Sequence, residues 1–441
     1  MDMDWQLLLV LLIGTMFILM ATGFPIAFVF ALIMLVASVI FWGGEVGIKH
    51  YVLNMRESVS HFYFLPLVMF IFMGEIMFQS GMGMRMLDTM AGWLGRLPGR
   101  LALLSVAFST LFATMSGSSA GTVALMGSVL KPEMDKRGYK KSMTIGPIMG
   151  SGSLASTIPP SGMIVFIAAI AEISIGKMLI AGIVPGLINA ALYASYVVVR
   201  CWLQPSIAPS YKVTLPPLSE KLKDTARYVL PLGLIIFSVI GVIFIGWATP
   251  SEAAALGAIS TLILTAAYGK MTWRLMRTSV KGTLRIVVMM FMIVVSAQTF
   301  SQILAFTGAT RGLAEWAVTL PVSPLVLVGG MLLVVLLMGT SMTAGPIILL
   351  TMPIFMPLIR AFGFSEIWFG IMILLGIEMG FTTPPFGMLC FVMKGVCGKD
   401  TTMGDIYRAG LPFLGCDLIL LILLVFITPL STWLPGLMWS T

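Results

Sequence analysis

Two double-proline motifs are the residues of this sequence best suited to chemistry: STIPPSG at 156–162 and FTTPPFG at 381–387. Proline has no N–H and clashes with the carbonyl four residues back, so each pair is expected to break a helix. Four carbonyls would then lose their helical partners, those of Ala155, Ser156, Gly380 and Phe381. In an apolar environment such groups must bind something. Together with Ser and Thr hydroxyls they form a hard oxygen cage suited to Na⁺.

Two apolar stretches, at about 101–130 and about 324–358, are each interrupted near the middle by small polar residues. The interruptions read SGSS at 116–119 and GTS at 339–341. Each arm has only about 11 to 17 residues, or about 17 to 26 Å of helix, which is too short to cross a hydrocarbon core of roughly 30 Å. We therefore predict re-entrant hairpins with tips near mid-membrane; the alternative is two ordinary helices joined by a tight turn.

The elements that must position these motifs are membrane helices. Of 441 residues 59% are hydrophobic and 10% are charged, whereas a soluble domain carries about 25% charged residues. Ten runs approach the roughly 20 residues needed to span a bilayer. They lie at about 5–22, 25–42, 61–79, 142–172, 178–200, 228–248, 250–269, 285–305, 366–396 and 411–433. The Lys and Arg residues lie in short loops between these runs, which excludes a basic groove that binds nucleic acid. The amino terminus lacks the basic region and cleavage site of a signal peptide.

The distribution of cations predicts an orientation. If the acidic amino terminus lies outside and every span changes side, 21 of the 26 Lys and Arg residues fall inside and 5 outside. This is the positive-inside pattern, and treating either hairpin as a single span would destroy it. Both termini are therefore predicted to be periplasmic. Trp93, Trp273 and Trp316 lie beside amphipathic connectors, where tryptophan is typical of the membrane interface.

The chain divides into two similar halves. A shift of 225 residues aligns four prolines of the first half with four of the second, including both double prolines. We predict a first repeat at 1–203, a cytoplasmic connector at 204–227 and a second repeat at 228–441, each with five spans and one hairpin. The broken helices are predicted at about 142–172 and about 366–396. Because five is odd, the second repeat must be inverted, as in many secondary transporters. The fold class is therefore an all-α polytopic membrane protein with inverted repeats.

The sequence resembles the large membrane subunit of tripartite ATP-independent periplasmic (TRAP) transporters over essentially its whole length. The motifs that carry the resemblance are ATMSGSSAGTVALMGSVLKPEMDKRGY, GSGSLASTIPPSGMIVF, SIGKMLIAGIVPGLI, GTSMTAGPIILLTMPIFMP and GIEMGFTTPPFGMLCFV. The resemblance implies Na⁺-coupled import of an organic acid anion, such as a dicarboxylate or sialic acid, by an elevator mechanism in the inner membrane. It also implies two partners, a small membrane subunit of about four helices and a periplasmic substrate-binding protein, with Na⁺ as the coupling ion and no other cofactor.

The resemblance also assigns residues to sites. The first sodium site comprises Ser116, Gly117, Ser118, Ser119, Ser156, Thr157 and Ser161, and the second comprises Gly339, Thr340, Ser341, Thr382 and Thr383. Substrate is expected at Ser116, Pro160, Ser161, Thr343 and Pro385. Thr343 departs from the family pattern, which has Asp there. No Lys or Arg lies at either hairpin tip, so N–H donors and hydroxyls are expected to hold the anion.

Three acids lie inside apolar runs, where a charged side chain is costly and usually functional or paired. Glu378 precedes Thr383 by five residues, which places it near the second sodium site or makes it a satisfied structural or interdomain carboxylate. Glu75 and Asp417 have either a functional role or a position facing an aqueous vestibule or the small subunit. The four cysteines show no spacing typical of a disulfide framework or a metal site.

Other functions fit less well. A self-sufficient Na⁺- or H⁺-coupled carboxylate carrier of a related inverted-repeat family is the main alternative, and the modest outer loops at 43–60 and 307–323 do not discriminate. An intramembrane enzyme lacks HExxH, GxGD or a mid-membrane His to activate a serine. A channel is disfavoured because two opposed hairpins suit alternating access better than a continuous pore.

Overall fold

The computed structural model describes residues 4–60, 64–95, 97, 99–113, 117–209, 216–398 and 400–438, and in these residues the regular structure is helical throughout. The helices of the first half are α1 (Trp5–Ala21), α2 (Ile26–Trp42), α3 (Gly44–Ser60), α4 (Leu65–Gln79), α5 (Met82–Trp93), α6 (Arg100–Phe108, extended by a π-helical turn Ser109–Ala113), α7 (Ser119–Lys136), α8 (Lys141–Gly152), α9 (Leu154–Thr157), α10 (Gly162–Ile170), α11 (Ile175–Ala181) and α12 (Ile183–Leu203).

The second half follows a 3₁₀ turn (Pro205–Ile207) and the residues of the connector. Its helices are α13 (Leu218–Asp224), which continues through a π-helical turn (Thr225–Val229) into α14 (Leu230–Phe244), then α15 (Pro250–Ala267), α16 (Trp273–Phe306), α17 (Ala309–Thr319), α18 (Pro324–Gly339), α19 (Ala344–Ala361), α20 (Glu366–Thr382), α21 (Met388–Cys397), α22 (Met403–Phe426) and α23 (Pro429–Gly436). Part of the predicted connector is therefore helical and continuous with the following apolar helix.

Several helices of the two halves begin and end at equivalent residues. With a shift of 225, α7 corresponds to α19, and the α8–α9 segment 141–157 corresponds to α20 at 366–382. Hairpin two is thus two helices, α18 and α19, joined by residues 340–343, whereas part of the tip predicted for hairpin one lies outside the described residues. Each broken helix stops just before its double proline. Around the first of these breaks, Lys141–Thr157 and Gly162–Ile170 are bent by 47°.

Six helical segments of the described chain are long and apolar enough to cross a membrane, and two bent pairs raise the number to eight. The sequence predicts ten spans. The difference arises because α1, α2 and α20 have 17 residues each, and α21 only 10, fewer than the roughly 20 that span a bilayer. The second arm of each hairpin, α7 or α19, is longer than predicted, with 18 residues.

The segments predicted as outer loops are largely helical. Residues 43–60 form α3, which packs on α2 and α16, and residues 307–323 contain α17. At the contact between α3 and α2, a Cβ on Gly47 would lie 2.0 Å from the carbonyl oxygen of Ser38. Ser58 Oγ donates to Gln298 Oε1 at 2.5 Å, so α3 is also held to α16 by a polar contact.

The helices pack in two groups that position the motifs. In one, α2, α3, α4, α15 and α16 pack around one another; in the other, α8 contacts α6, α7 and α22, and α20 contacts α18 and α22. The approach of α8 to α22 depends on Gly146, where a Cβ would lie 2.4 Å from the carbonyl oxygen of Ala409. Hairpin one, α18 and the first segments of both broken helices, α8 and α20, belong to the second group, whereas α10 and α19 also contact α4 and α16 of the first group, respectively.

Candidate functional site

A cavity of about 230 Å³ lies where the two hairpin tips and the two helix breaks meet. The lining residues that come from these four segments are Gly117, Ser118, Ser119, Ala120, Ser156, Pro160, Gly162, Met163, Thr343, Ala344, Gly345, Phe381 and Met388. The rest of the lining comes from α4 and α16 and is apolar except for Glu75. The cavity therefore brings together parts of both halves that are far apart in the sequence.

Four helices begin at this cavity. The first turns of α7, α10, α19 and α21 all contribute lining residues, starting from Ser119, Gly162, Ala344 and Met388. The first turn of a helix presents unsatisfied N–H groups and the positive end of the helix dipole. Since the described lining contains no Lys or Arg, an anion here would be held by backbone N–H groups and hydroxyls.

Two serines connect hairpin one to the first broken helix. Ser118 caps α7, because its Oγ accepts a hydrogen bond from the Gly121 N–H at 3.1 Å. The preceding Gly117 has φ +59°, a conformation that glycine adopts without strain. This turn directs Ser119 toward the break, where its Oγ lies 3.0 Å from Ser156 Oγ. The two hydroxyls form a pair of hard oxygen atoms at the edge of the cavity.

Glu378 joins this pair from the other half of the chain. Its Oε1 accepts a hydrogen bond from Ser119 Oγ at 3.0 Å, and only 2% of the residue is exposed. Its Oε2 is buried and has no hydrogen-bond partner among the described residues. Glu378 therefore contacts a residue assigned to the first sodium site, while Thr382 of the second follows it by one turn of the same helix. Spacing along α20 gave no signal for a contact between residues 259 apart in sequence.

Two of the four carbonyls predicted to be free have partners inside the chain. Ser161 Oγ donates to the Ser156 carbonyl at 2.8 Å, and the Thr383 N–H donates to the Gly380 carbonyl at 3.1 Å. At the first break a hydroxyl beyond the prolines reaches back to the carbonyl, whereas at the second the residue just before the prolines closes an i→i−3 turn on it. Ser161 is fully buried behind the cavity wall.

The hydroxyls predicted for the second sodium site donate to carbonyls of their own helices. Thr382 and Thr383 both donate to the Met379 carbonyl, at 3.0 and 2.6 Å. In hairpin two, Thr340 donates to the Leu337 carbonyl at 2.8 Å and Ser341 to the Met338 carbonyl at 3.3 Å. A hydroxyl that donates its hydrogen retains lone pairs that accept a cation.

Hairpin two rests on the second broken helix through a pair of glycines. A Cβ on Gly380 would lie 2.6 Å from the Gly339 Cα and 2.8 Å from the Leu336 carbonyl oxygen. A Cβ on Gly339 would lie 2.9 Å from the Gly380 Cα. Because glycine has no Cβ at either position, the backbones of hairpin two and the second broken helix can touch. The residues expected for the second sodium site therefore come from two directly contacting segments.

The site residues expected from the sequence separate into three sets. Gly117, Ser118, Ser119, Ser156, Pro160 and Thr343 line the cavity. The described lining does not include Thr157, Ser161, Gly339, Thr340, Ser341, Thr382, Thr383 or Pro385. Ser116 lies outside the described residues. Pro385 is exposed, and its carbonyl accepts a hydrogen bond from the Tyr407 hydroxyl.

Two further acids have distinct surroundings. Glu75 lines the cavity from α4, and the apolar run around it was the signal available in the sequence. Asp417 is 1% exposed: its Oδ1 accepts hydrogen bonds from Asn189 Nδ2 at 2.8 Å and from the Tyr193 hydroxyl. Ser153 Oγ lies 3.2 Å from the Tyr193 hydroxyl and extends this network. The interpretation that Asp417 faces a vestibule or a partner subunit is therefore wrong.

The donor atoms select the class of ion. The described residues contain no cluster of three or more His, Cys, Asp or Glu side chains that would hold a metal ion. All four cysteines are free and buried. Hydroxyls, carbonyls and the carboxylates of Glu75 and Glu378 are hard oxygen groups, which would suit a hard cation rather than a soft transition metal.

Comparisons with known proteins show which proteins this chain is similar to in sequence and fold. The C4-dicarboxylate TRAP transporter large permease protein DctM of Pseudomonas aeruginosa is 31% identical over 88% of this chain and 90% of its own length. That of Rhodobacter capsulatus is 29% identical over 97% and 99%. The fold resembles the crystal structure of the Alcanivorax borkumensis YdaH transporter, with TM-score 0.66 and 15% identity over 91% of this chain and 98% of that one.

The family described as tripartite ATP-independent periplasmic transporter, DctM component, matches residues 13–430. This match covers both hairpins, both broken helices and the cavity between them. The prediction of a transporter subunit rather than an enzyme is confirmed. The chain belongs to the DctM family and is a multi-pass inner-membrane subunit of a TRAP-type transporter.

Proposed function

We propose that this protein imports a small organic acid anion of the C4-dicarboxylate class by Na⁺-coupled secondary transport. The observation that carries the proposal is the meeting of four helix N-termini at one cavity whose described lining has no Lys or Arg. Each N-terminus favours negative charge, and four of them can share two carboxylates. The substrate named for the Pseudomonas and Rhodobacter relatives is of this class.

The first coupling ion is proposed to bind between Ser119 and Ser156, with Glu378 as the carboxylate that balances its charge. A buried carboxylate without a cation is unfavourable in a membrane. The hydroxyl pair at 3.0 Å and the unpartnered Oε2, which finds no donor in the described part of the chain, offer oxygen atoms to Na⁺. The second ion is proposed at hairpin two, between the Thr340–Ser341 tip and Thr382–Thr383.

Movement is proposed to follow an elevator mechanism on two inverted repeats. The equivalent helix bounds at a shift of 225 residues support the repeats. The packing of α2–α4 with α15 and α16 supports a scaffold, and the second helical group supports a mobile transport domain. Bound Na⁺ would order the hairpin tips, and the loaded domain would then cross the membrane against the scaffold. Both termini are proposed to be periplasmic, as the distribution of Lys and Arg predicts.

The partners are proposed to be a small membrane subunit and a periplasmic binding protein that delivers the substrate. The family description includes the word tripartite, which supports this assembly. A carrier that works alone is the second candidate. The test between the two is uptake of labelled C4-dicarboxylate into proteoliposomes with and without the purified binding protein. Robust uptake in the absence of the binding protein would favour the self-sufficient carrier.

Sodium coupling is tested in the same proteoliposomes. An inward Na⁺ gradient should drive uptake, and uptake that is indifferent to the gradient contradicts the proposal. Ser119→Ala should raise the Na⁺ concentration needed for half-maximal uptake because it removes one oxygen of the site. Ser128→Ala is the matched control: it lies on the same helix, is exposed, and donates to the Leu125 carbonyl instead of facing the cavity.

A further inference from the structure

Helix α16 carries a row of four cations that have no role in the transport site. Arg274, Arg277, Lys281 and Arg285 are all exposed and are spaced three or four residues apart. At 3.6 residues per turn they fall within an arc of about 80°. No ion pair joins any of them to an acidic side chain in the described ranges, and α16 itself contains no Asp or Glu. These four residues are termed the α16 cationic row.

The opposite side of the same segment is fixed against the protein. Leu275, Ser279, Thr283 and Val287 recur every four residues and are at most 9% exposed. The helix therefore cannot turn its cations toward the protein, and the row faces outward along about 17 Å of helix at 1.5 Å per residue. The α16 helix has 34 residues, about 51 Å, so its first turns extend past a hydrocarbon core of roughly 30 Å.

The cationic row continues into an apolar surface on the same face. Leu284 and Val288 are each 55% exposed and lie at the far end of the row, one residue before Arg285 and three residues after it. Trp273, which is 82% exposed, lies at the other end of the row. Tryptophan and long basic side chains are typical of the headgroup level, and exposed aliphatic residues are typical of the acyl-chain level. One helix face thus presents both halves of a phospholipid-binding surface.

We propose that the α16 cationic row binds the phosphate headgroups of anionic phospholipids in the leaflet that surrounds the start of α16. An acidic segment of a partner protein would match the charges but would not explain the adjoining aliphatic residues, which an acyl chain covers. The site is distinct from the transport cavity, because the four cations are absent from its described lining. The proposal does not depend on Na⁺ coupling or on the identity of the substrate.

The test is native mass spectrometry of the full purified chain with phosphatidylglycerol or phosphatidylcholine. Arg277→Gln should weaken phosphatidylglycerol binding about five-fold, since each cation near an anionic surface contributes about that factor. The combined Arg274→Gln, Arg277→Gln, Lys281→Gln and Arg285→Gln variant should lose binding by more than about a hundred-fold. The matched control is Arg274→Lys, Arg277→Lys and Arg285→Lys, which keeps every charge and should retain the lipid.

A second measurement needs no substitution. For the wild-type protein, about 1 M salt should release phosphatidylglycerol, because the Debye length then falls to about 3 Å. Equal binding of the two lipids, or equal phosphatidylglycerol binding by the Gln and wild-type proteins, would overturn the proposal. Loss of a co-purifying protein partner from the Gln variant, with lipid binding unchanged, would also overturn it and assign the row to a protein interface.

Discussion

The contact between Gly339 and Gly380 gives a sharp prediction, because one added methyl group tests whether hairpin two must touch the second broken helix. In Gly380→Ala the new Cβ would lie 2.6 Å from the Gly339 Cα and 2.8 Å from the Leu336 carbonyl oxygen. Both neighbours are backbone atoms that cannot rotate away. The hairpin tip must therefore shift to admit the methyl group.

The size of the effect follows from two opposed contributions. Overpacking a close contact costs about 1 to 3 kcal/mol, and the rigid neighbours at this site place the cost near the top of that range, about 3 kcal/mol. Alanine in a helix interior returns up to about 1 kcal/mol relative to glycine. We expect Gly380→Ala to lower the free energy of unfolding by about 2 kcal/mol, the difference between these two contributions. Because the tip carries Thr340 and Ser341, the thermal stabilisation that Na⁺ confers should also shrink.

The assay is thermal unfolding of the purified protein across a Na⁺ titration, with K⁺ keeping the ionic strength constant. Gly395→Ala is the matched control: it lies on α21, and no neighbouring atom comes within 4 Å of the position that its Cβ would take. It should be neutral or slightly stabilising, with an unchanged Na⁺ response. The same melting temperature for Gly380→Ala and Gly395→Ala would refute the close contact between hairpin two and α20.

Three further predictions concern charged groups. Asp417→Ala should destabilise the protein by about 3 kcal/mol, because the buried donors of Asn189 and Tyr193 lose their acceptor. Asp417→Asn keeps an acceptor oxygen and should cost less than about 1 kcal/mol. Equal melting temperatures of the two variants would contradict this prediction. Glu378→Gln should raise the Na⁺ concentration for half-maximal thermal stabilisation about ten-fold, since a charged ligand is lost. An unchanged Na⁺ titration would show that Glu378 is not a ligand of the proposed site. Lys141→Ala should cost under about 1 kcal/mol in chemical denaturation, because its 2.8 Å bridge to Asp405 is half exposed; a larger loss would show a role beyond this bridge.

Local sequence patterns could predict the helix breaks and the interruption between α18 and α19. Proline chemistry is local, so the ends of α9 and α20 follow from the motifs alone. The two outer segments were misjudged because α3 and α17 are too polar to resemble spans, and their helicity depends on packing against α2, α16 and α19. Amphipathic helices of this kind are stabilised by tertiary contacts more than by intrinsic propensity.

The contents of the site were harder to predict than its location. Which hydroxyl faces Glu378 depends on how the two halves pack, and no spacing rule relates Ser119 to a residue 259 positions later. The pairing of Ser161 with the Ser156 carbonyl likewise needs the three-dimensional course of the chain through the break. The double-proline motifs identify carbonyls that require hydrogen-bond partners, whereas only the structure identifies those partners.

The hydrogen bond between Ser119 and Glu378 also constrains how the protein is made. During synthesis the serine enters the membrane long before residue 378 leaves the ribosome, so a nascent first half would hold only part of the proposed ion site. The Glu378 carboxylate, in turn, inserts into the bilayer after its partner serine is already there. Assembly of the site is thus a late event of biogenesis, and two halves produced as separate polypeptides should acquire it only after they associate.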